Sequence, residues 1–387
     1  MIGIDQINMF TPNTYVDLVE LAKVRGVDPN KFTIGIGQDK MAFPLVSQDS
    51  YSMAVNAAAP LINDKTAQEI GLIIFATESG NDFSKSGSVI VQNLLGINKY
   101  ARSFEIKQAC FGATAGLLSA RDFVQAHPNK KALIIGSDIA RYGLNTPGEV
   151  TQGAGAVAMI ISQDPRLVAI DEFSVPYSDN INDFWRPSYS DVAFVDGKYS
   201  NETYLNFFRQ TWQAYKEKTG KKLDDFTALC FHLPYTKMGY KALKTIIDEA
   251  SLAHQEQLLA NFQESAKYSR QIGNLYTASL YVSLMSLLHN ANLDAGSTIG
   301  FFSYGSGAAA EFFTGTLMPN YQQHLNIDDT TALLANRIKL NVAEYEQLFN
   351  ITATPETEEQ FFANNYDNAT YYLAGIQDHI RIYKQHD

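Results

Sequence analysis

The sequence contains few cysteines, no long apolar run and no surplus of positive charge. Its two cysteines, Cys110 and Cys230, cannot build the disulfide framework that is typical of secreted proteins. A net charge of -11 argues against a general binder of nucleic acid or of anionic membranes. No stretch of about 18 apolar residues predicts a membrane span, and no basic start followed by an apolar run predicts a signal peptide. We therefore expect a cytoplasmic protein without a membrane or nucleic-acid partner.

Short apolar runs bounded by glycine or polar residues predict strands that are buried on both faces. Between them lie segments whose apolar residues recur at spacings of three and four, as on one face of a helix. This alternation of strand and helix predicts an α/β architecture. The predicted strands cover residues 72–76, 132–135, 156–161, 229–233 and 298–303, and the predicted helices cover residues 112–126 and 278–288.

The two parts of the chain repeat one order of elements, in which a strand precedes a small-residue helix and then another strand. The residues that mark these elements are Glu78, Cys110 and Ser137 in the first part, and His232, Asn274 and Ser303 in the second. Any α/β protein can repeat strand and helix at such spacings, so the pattern leaves duplication open. We expect two halves, residues 1–165 and 166–387, which pack as one body and end in a packed helical tail (330–349 and 358–384).

Cys110 is the candidate nucleophile, since it lies at the predicted start of the helix over 112–126. Backbone amides and the helix dipole at such a position favour the thiolate over the thiol. The amide of Cys110 itself could help to hold an oxyanion. A buried structural cysteine is the alternative for this position. For Cys230, inside an apolar strand, we expect the structural role.

Glu78 and His232 each end a predicted strand, at corresponding places in the two parts of the chain. Ligands of open α/β sheets bind at the carboxyl ends of the strands, where catalytic groups also lie. A partly desolvated carboxylate there can have its pKa raised into the range useful for proton abstraction. The alternatives are a solvated loop glutamate and a core histidine. No His, Cys and Asp cluster has metal-ligand spacing, so we expect no metal site.

A basic stripe and a glycine-rich turn complete the candidate chemistry. Lys237, Lys241 and Lys244 lie on one face if residues from 236 onward are helical, and such a stripe suits an anionic, nucleotide-tailed ligand. The alternative is a solvated helix face. Residues 303–308 (SYGSGA) follow a strand and could present amides to an oxyanion. Together these groups suit carbon–carbon bond formation on a thioester: a cysteine holds the acyl group, a carboxylate takes a proton from carbon and a histidine polarises the acceptor carbonyl.

Motifs along almost the whole chain resemble those of the 3-hydroxy-3-methylglutaryl-CoA synthase family, in its bacterial branch, within the thiolase-like condensing enzymes. Any one motif is weakly specific, but their number and order are specific. They are residues 26–38 (GVDPNKFTIGIGQ), 76–80 (ATESG), 108–113 (QACFGA), 136–142 (GSDIARY), 184–187 (FWRP), 196–200 (DGKYS), 232–237 (HLPYTK), 273–277 (GNLYT) and 303–307 (SYGSG).

This resemblance implies a thiolase-like fold of two duplicated αβαβα halves, forming a layered body with mixed sheets, and a homodimer. It also implies the reaction of acetyl-CoA, acetoacetyl-CoA and water to 3-hydroxy-3-methylglutaryl-CoA and CoA. That step commits carbon to mevalonate and isoprenoids. The CoA thioesters are substrates, so no cofactor is implied.

The resemblance also implies a role for individual residues. Cys110 matches the acetylated nucleophile, Glu78 the general acid/base, and His232 the histidine that engages acetoacetyl-CoA. The other implied contacts are Asn274 and Ser306 at the acyl pocket, Lys237 and Lys241 near CoA, and the ligand-contacting positions Asp28, Pro29, Tyr142, Thr151 and Ser200.

Three other functions remain open at this point. The first is a related synthase that acts on carrier-protein-bound β-keto chains. The second is an ordinary thiolase or ketoacyl synthase, against which Glu78 argues, because those families usually set histidines around the cysteine. The third is a catalytically silent acyl-CoA-binding protein.

Overall fold

The computed structural model describes residues 1–190, 193–353, 359–362 and 366–386. Its strands are β1 (Ile2–Phe10), β2 (Thr14–Asp17), β3 (Lys40–Ala42), β4 (Ile70–Ala76), β5 (Arg102–Ile106), β6 (Lys131–Ala140), β7 (Gly153–Gln163), β8 (Val168–Ser178), β9 (Phe184–Trp185), β10 (Phe194–Val195), β11 (Ala228–Phe231), β12 (Thr298–Gly305), β13 (Ala309–Leu317), β14 (Ile338–Leu340), β15 (Glu359–Phe361), β16 (Tyr371–Gln377) and β17 (Ile380–Gln385). Its α-helices are α1 (Leu18–Val24), α2 (Ser50–Ala58), α3 (Asp64–Glu69), α4 (Gly87–Leu94), α5 (Gly112–Ala126), α6 (Gly197–Thr219), α7 (Thr236–Lys244), α8 (Leu252–Ile272), α9 (Ser279–Asn290), α10 (Ile327–Ala335) and α11 (Val342–Phe349).

The large mixed sheet contains one strand arrangement twice. Its order is β11-β12-β13-β8-β1-β7-β6-β4-β5. In the first set, β4 is parallel to β6, and β6, β7 and β1 are successively antiparallel. In the second set, β11 is parallel to β12, and β12, β13 and β8 are successively antiparallel. This repeated order supports the duplication that the sequence left open, whereas the boundary between residues 165 and 166 stays a prediction.

Helices cover both faces of each strand set, because successive side chains of a strand point to opposite faces. Ile74 of β4 and Phe301 of β12 lie in one central core to which both α5 and α9 contribute. The next residues, Phe75 and Phe302, lie in separate outer cores, the first with α2 and the second with α6. Full burial of each such side chain contributes about 1.5–3 kcal/mol. The result is a five-layer arrangement, with α5 and α9 between the two strand sets.

The predicted strands and helices are present, with small differences at their ends. The helix over 112–126 is α5, and the helix over 278–288 is α9 (Ser279–Asn290). β4 ends at the predicted residue, β7, β11 and β12 end two residues from the predicted places, and β6 continues five residues further, to Ala140. Glu78 therefore lies in the loop after Ala76, and His232 directly follows Phe231. Cys110 lies in the turn before α5.

The prediction of a helical C-terminal tail is confirmed for most of residues 330–349, where α10 and α11 lie, and is wrong for the described residues of 358–384. β14 separates α10 from α11, and β15, β16 and β17 form an antiparallel sheet. Two consecutive residues with positive φ, Asp378 (50°) and His379 (63°), join β16 to β17, as in the tight turns that favour hairpins. The aromatic and β-branched residues of this segment therefore alternate across a strand. The tail is packed as predicted, since Leu373 and Ala374 are buried.

Among the described residues, no helix combines the length and the apolar character that crossing a bilayer requires.

Candidate active site

A cavity of about 650 Å³ brings together residues from both strand sets. This volume falls in the range that is usual for small-molecule sites. The predicted site residues that line the cavity are Cys110, Tyr142, Thr151, Ser200, His232, Asn274 and Ser306.

Glu78 and Cys110 are in direct contact. The thiol of Cys110 donates a hydrogen bond to Oε1 of Glu78 over a Sγ–Oε1 distance of 3.1 Å. Cys110 sits in a tight turn, in which the amide of Phe111 donates to the carbonyl of Gln108 over 3.1 Å. The preceding residue, Ala109, has a φ of 43°, which is uncommon for a residue with a side chain. Strained backbone of this kind often occurs at functional sites, where the surrounding structure holds it.

Both groups of this pair have raised pKa values. Burial raises the pKa of Glu78 to about 8, and the nearby carboxylate of Asp138 adds to the effect. Burial also raises the pKa of Cys110 well above its usual value, and the carboxylate of Glu78 raises it further. The expected resting thiolate is therefore wrong, because burial and a neighbouring negative charge outweigh the amino end of α5. Cys110 therefore rests as a thiol, and Glu78 can accept its proton in the fraction of molecules whose Glu78 carboxyl is ionised.

Asp138 is a functional residue that the sequence analysis missed. It is fully buried near the end of β6 and accepts hydrogen bonds from the amide of Glu78 at 2.7 Å, Oγ of Ser79 at 2.9 Å and Oγ1 of Thr277 at 2.6 Å. Burial raises its pKa to about 6. It fixes the backbone of Glu78 and raises the pKa of the Glu78 carboxyl. An acidic residue inside an otherwise apolar strand is the signal that could have identified it.

His232 faces the same cavity from the second strand set. Its backbone is fixed on both sides, since its amide donates to the carbonyl of Phe302 at 2.9 Å and its carbonyl accepts from the hydroxyl of Tyr204 at 2.7 Å. Burial lowers the pKa of the imidazole to about 3, so the ring is neutral near pH 7. Among the described residues, Nδ1 of His232 has no hydrogen-bond partner. A neutral imidazole fixed in this way can donate one hydrogen bond to a substrate oxygen.

The end of β12 rests directly on the turn that holds Cys110. A Cβ atom on Gly305 would lie 2.6 Å from both the carbonyl oxygen of Gln108 and the amide nitrogen of Phe111. Only glycine permits this approach, which brings Ser306 into the cavity beside Cys110. The arrangement suits an oxyanion site made of backbone amides.

Asn274 and three aromatic rings form one wall of the cavity. Nδ2 of Asn274 donates to the hydroxyl of Tyr142 at 3.3 Å, and its Oδ1 accepts from the amide of Tyr276 at 2.9 Å. The ring centroids of Tyr142, Phe184 and Tyr276 lie 6.1 to 6.2 Å apart. Phe184 and Tyr276, for which the sequence predicted no separate role, both line the cavity.

The predicted CoA-contacting residues Asp28, Pro29, Lys237 and Lys241 lie outside the cavity lining. Residues 236–244 are helical as expected and form α7. Nζ of Lys237 donates to the carbonyl of Ile34 at 3.1 Å, which joins α7 to the segment that follows Pro29. Nζ of Lys241 donates to the hydroxyl of Tyr235 at 2.8 Å, and Tyr235 lines the cavity. Lys241 therefore lies near the cavity rim, and Lys237 contacts the segment that contains Asp28 and Pro29.

Within the described part of the chain, no group of three or more His, Cys, Asp or Glu residues is placed to hold a metal ion.

Comparisons with known proteins identify the family. The model described as hydroxymethylglutaryl-coenzyme A synthase N terminal matches residues 1–166, and the corresponding C-terminal model matches residues 168–266 and 249–386. The chain is 49% identical over 384 residues to the hydroxymethylglutaryl-CoA synthase of Enterococcus faecalis, covering 99% of each chain. It is 33% identical to the polyketide biosynthesis 3-hydroxy-3-methylglutaryl-ACP synthase PksG of Bacillus subtilis, covering 90% of this chain and 87% of that protein.

A solved structure agrees with these sequence matches. The crystal structure of an HMG-CoA synthase complexed with CoA superposes with a TM-score of 0.96 at 40% identity, covering 99% of each chain. This agreement confirms the predicted thiolase-like fold. The protein belongs to the hydroxymethylglutaryl-CoA synthase family of condensing enzymes.

Proposed function

We propose that this protein condenses acetyl-CoA with acetoacetyl-CoA and water, giving 3-hydroxy-3-methylglutaryl-CoA and CoA. The observation that carries the proposal is the 3.1 Å contact between the carboxylate of Glu78 and the thiol of Cys110, which lines the same cavity as His232. This set supplies a nucleophile, a base and a neutral hydrogen-bond donor.

The first step is acetylation of Cys110. The sulfur attacks the carbonyl carbon of acetyl-CoA while Glu78 accepts the thiol proton, which the hydrogen bond already directs towards Oε1. Amides at Cys110 and Ser306 hold the oxyanion. The bond to the CoA sulfur then breaks, and the leaving thiolate takes the proton from Glu78. Glu78 is returned to its carboxylate form for the next step.

The second step forms the carbon–carbon bond. Glu78 takes a proton from the methyl group of the acetyl-cysteine, and the resulting enolate attacks the ketone carbon of acetoacetyl-CoA. His232 donates a hydrogen bond to the ketone oxygen, on which negative charge develops. The proton that Glu78 has taken then passes to this oxygen, which gives the tertiary hydroxyl group and returns Glu78 to its carboxylate form. A pKa near 8 makes the Glu78 carboxylate a stronger base than an exposed glutamate, which suits proton removal from carbon.

The third step releases the product. Water adds to the thioester carbonyl, the bond between sulfur and the acyl carbon breaks, and Cys110 regains its thiol. A cysteine suits these three reaction steps because the acyl group that it carries stays a thioester until water releases it. Both CoA thioesters are substrates in this scheme, so it requires no cofactor.

The remaining predicted residues are proposed to bind the substrates. Asn274 would contact the acyl groups, and the cavity residues Tyr142, Thr151 and Ser200 would line their path. Lys237 and Lys241 would face the anionic part of CoA, together with the segment that contains Asp28 and Pro29. Lysines interact with phosphates as point charges.

We also propose that the protein is a cytoplasmic homodimer in the mevalonate route to isoprenoids. The strand β5 supports dimerisation, because it is the last strand of the large sheet and Phe104 on it is partly exposed. Unpaired edge strands readily pair with another chain. Sedimentation equilibrium would test this assembly, and a monomer at micromolar concentration would contradict it.

An assay with purified protein tests the reaction. Acetyl-CoA alone should add one acetyl group to Cys110, detected by mass spectrometry, and this adduct excludes a silent binding protein. Addition of acetoacetyl-CoA should then give 3-hydroxy-3-methylglutaryl-CoA. Cys110→Ser should bind substrate but form no thioester adduct. Turnover only with carrier-protein-bound acetoacetate, and none with acetoacetyl-CoA, would contradict the proposal and support the carrier-protein alternative.

A further inference from the structure

The C-terminal hairpin of β16 and β17 is docked along α2, from the residues before its first turn to Asn56. The backbone of Tyr371 exchanges two hydrogen bonds with the side chain of Asn56, over 2.7 and 3.0 Å. The amide of Leu373 donates to the carbonyl of Ser47 over 2.8 Å. The hairpin therefore holds α2 both within the helix and just before its first turn.

Asp49 is the junction between this hairpin and α2. Its Oδ1 accepts the amide of Ser52 at 2.8 Å, which caps the helix. Its Oδ2 accepts the hydroxyl of Tyr383 at 2.7 Å and Nη1 of Arg381 at 3.3 Å, both from β17. Asp49 is 7% exposed, so its charge depends on these donors for stabilisation.

The same carboxylate contacts the loop that contains Glu78. Nδ2 of Asn81 donates to Oδ2 of Asp49 at 3.3 Å, and Oγ of Ser50 donates to the carbonyl of Ser79 at 2.8 Å. Two residues that closely follow Glu78 are thus anchored on the amino end of α2. Hydrogen bonds connect β17 to the catalytic loop through a single buried carboxylate.

We propose that Tyr383 and Arg381 are positioning residues for the condensation. By fixing Asp49 they hold the Glu78 loop at the place where its carboxylate lies 3.1 Å from the sulfur of Cys110. A misplacement of about 1 Å at a reacting group can lower a rate by about 100-fold. The inference rests on the proposed role of Glu78 as the base.

Tyr383→Phe tests the inference, because it removes one donor to Asp49 and keeps the ring. Tyr372→Phe is the matched control on the same hairpin, where the ring stacks on His386 at 4.3 Å. We expect kcat for the condensation to fall about fivefold or more in Tyr383→Phe, with KM for acetyl-CoA changed less than about twofold. Tyr372→Phe should keep the wild-type kcat. Assays are run well below the melting temperature of each variant, so that loss of folded protein does not contribute.

A double-mutant cycle with Asn81→Ala tests the route through Asp49. Asn81 is exposed, so its replacement should leave the protein folded even if Tyr383→Phe does not. We expect Asn81→Ala to lower kcat, and the double variant to be no slower than Asn81→Ala alone. If the two substitutions lowered kcat by independent factors that multiply in the double variant, Tyr383 would not act through Asp49 and Asn81, and the inference would be overturned.

The outcomes separate this inference from the proposed function. If the wild-type protein condenses its substrates and both Tyr383→Phe and Asn81→Ala keep the wild-type kcat, the positioning role is overturned and the proposed function stands. If the wild-type protein forms no 3-hydroxy-3-methylglutaryl-CoA, the proposed function itself fails.

Discussion

The thiol of Cys110 donates a 3.1 Å hydrogen bond to the carboxylate of Glu78, which raises the pKa of the thiol, whereas the same hydrogen bond acts to lower the pKa of Glu78. Two negative charges at this distance in a buried site repel strongly. The pair therefore holds at most one negative charge, and when Glu78 is ionised one proton can move from sulfur to oxygen as the substrate reacts. This coupling lets one carboxylate serve both the acetylation and the condensation.

The rate of condensation should rise with pH through a value near 8. The pKa of Glu78 is raised to about 8, and its active form as a base is the carboxylate, whose fraction grows as the pH increases. Well below that pKa the rate should change about tenfold per pH unit. Titration of His232 should add no inflection to the pH–rate profile between pH 6 and 9, since its pKa is lowered to about 3. Measurement of kcat from pH 6 to 9.5 checks this, and a flat profile would contradict the assigned base.

Glu78→Gln should form the acetyl adduct but lose condensation by about 100-fold or more. Acetylation persists, although more slowly, because the thiol can lose its proton to solvent and no longer faces a carboxylate that raises its pKa. Single-turnover mass spectrometry of Cys110 and product analysis check the two steps separately. Condensation at the wild-type rate would show that another group is the base.

Glu78→Gln should also make the folded protein more stable than the wild type at pH 8. The pKa of Glu78 rises from 4.5 to about 8 on folding, so the folded state binds more protons and its stability falls as the pH rises between those values. Glutamine carries no ionisable group, so the Glu78→Gln variant does not lose folding stability in this way as the pH rises. We expect the melting temperature to be higher by roughly 1–4 °C at pH 8, with a much smaller difference at pH 5. Equal melting temperatures at pH 8 would argue that Glu78 is not desolvated.

His232→Asn should slow the condensation with acetoacetyl-CoA and leave the acetylation of Cys110 nearly unchanged. The histidine is proposed to contact acetoacetyl-CoA, so acetylation of Cys110 should stay within about threefold of the wild-type rate. The condensation should slow by about 100-fold or more, because the ketone oxygen loses its hydrogen-bond donor. Rapid-quench measurement of both steps checks this difference. An equal loss in both steps would instead indicate a role in forming the acetyl-enzyme.

Gly305→Ala should slow acetylation, since the added methyl group would overlap the turn that holds Cys110. Its Cβ would lie 2.6 Å from backbone atoms of Gln108 and Phe111, a distance that requires the strand end and the turn to separate. We expect the acetylation rate to fall by about tenfold or more. Gly35→Ala is the matched control, because its methyl group meets only the carbonyl of Asn30 at 3.7 Å. A normal rate in both variants would show that this close approach does not matter for catalysis.

The sequence predicted the strands and the helix of the reaction centre well, because they are buried on both sides and their apolar runs are continuous. Glu78, Cys110 and His232 were predicted as site residues from their places at the ends of such elements, and the structure brings the side chains of Glu78 and Cys110 into contact. The contact between Glu78 and Cys110 depends on where β4 and α5 meet in space, which spacing along the chain does not determine. The structure supplied that distance.

The resting protonation state and the C-terminal sheet could not be predicted. The pKa of Cys110 depends on burial and on Glu78, and burial is a property of the folded protein. Asp138 was missed because its partner Thr277 lies 139 residues away in the chain. β16 and β17 were mistaken for a helix because their residues also fit helical spacing, and the turn at Asp378 and His379 was not recognised.

The ladder between β1 and β8 joins the two strand sets through two residue pairs, Gly3 with Ala169 and Ile4 with Val168. Glu78 follows a strand of one set and His232 follows a strand of the other, so the proposed base and the proposed hydrogen-bond donor to the ketone come from different sets. The relative position of Glu78 and His232 therefore depends on how the two strand sets are joined, as well as on the residues that surround each group.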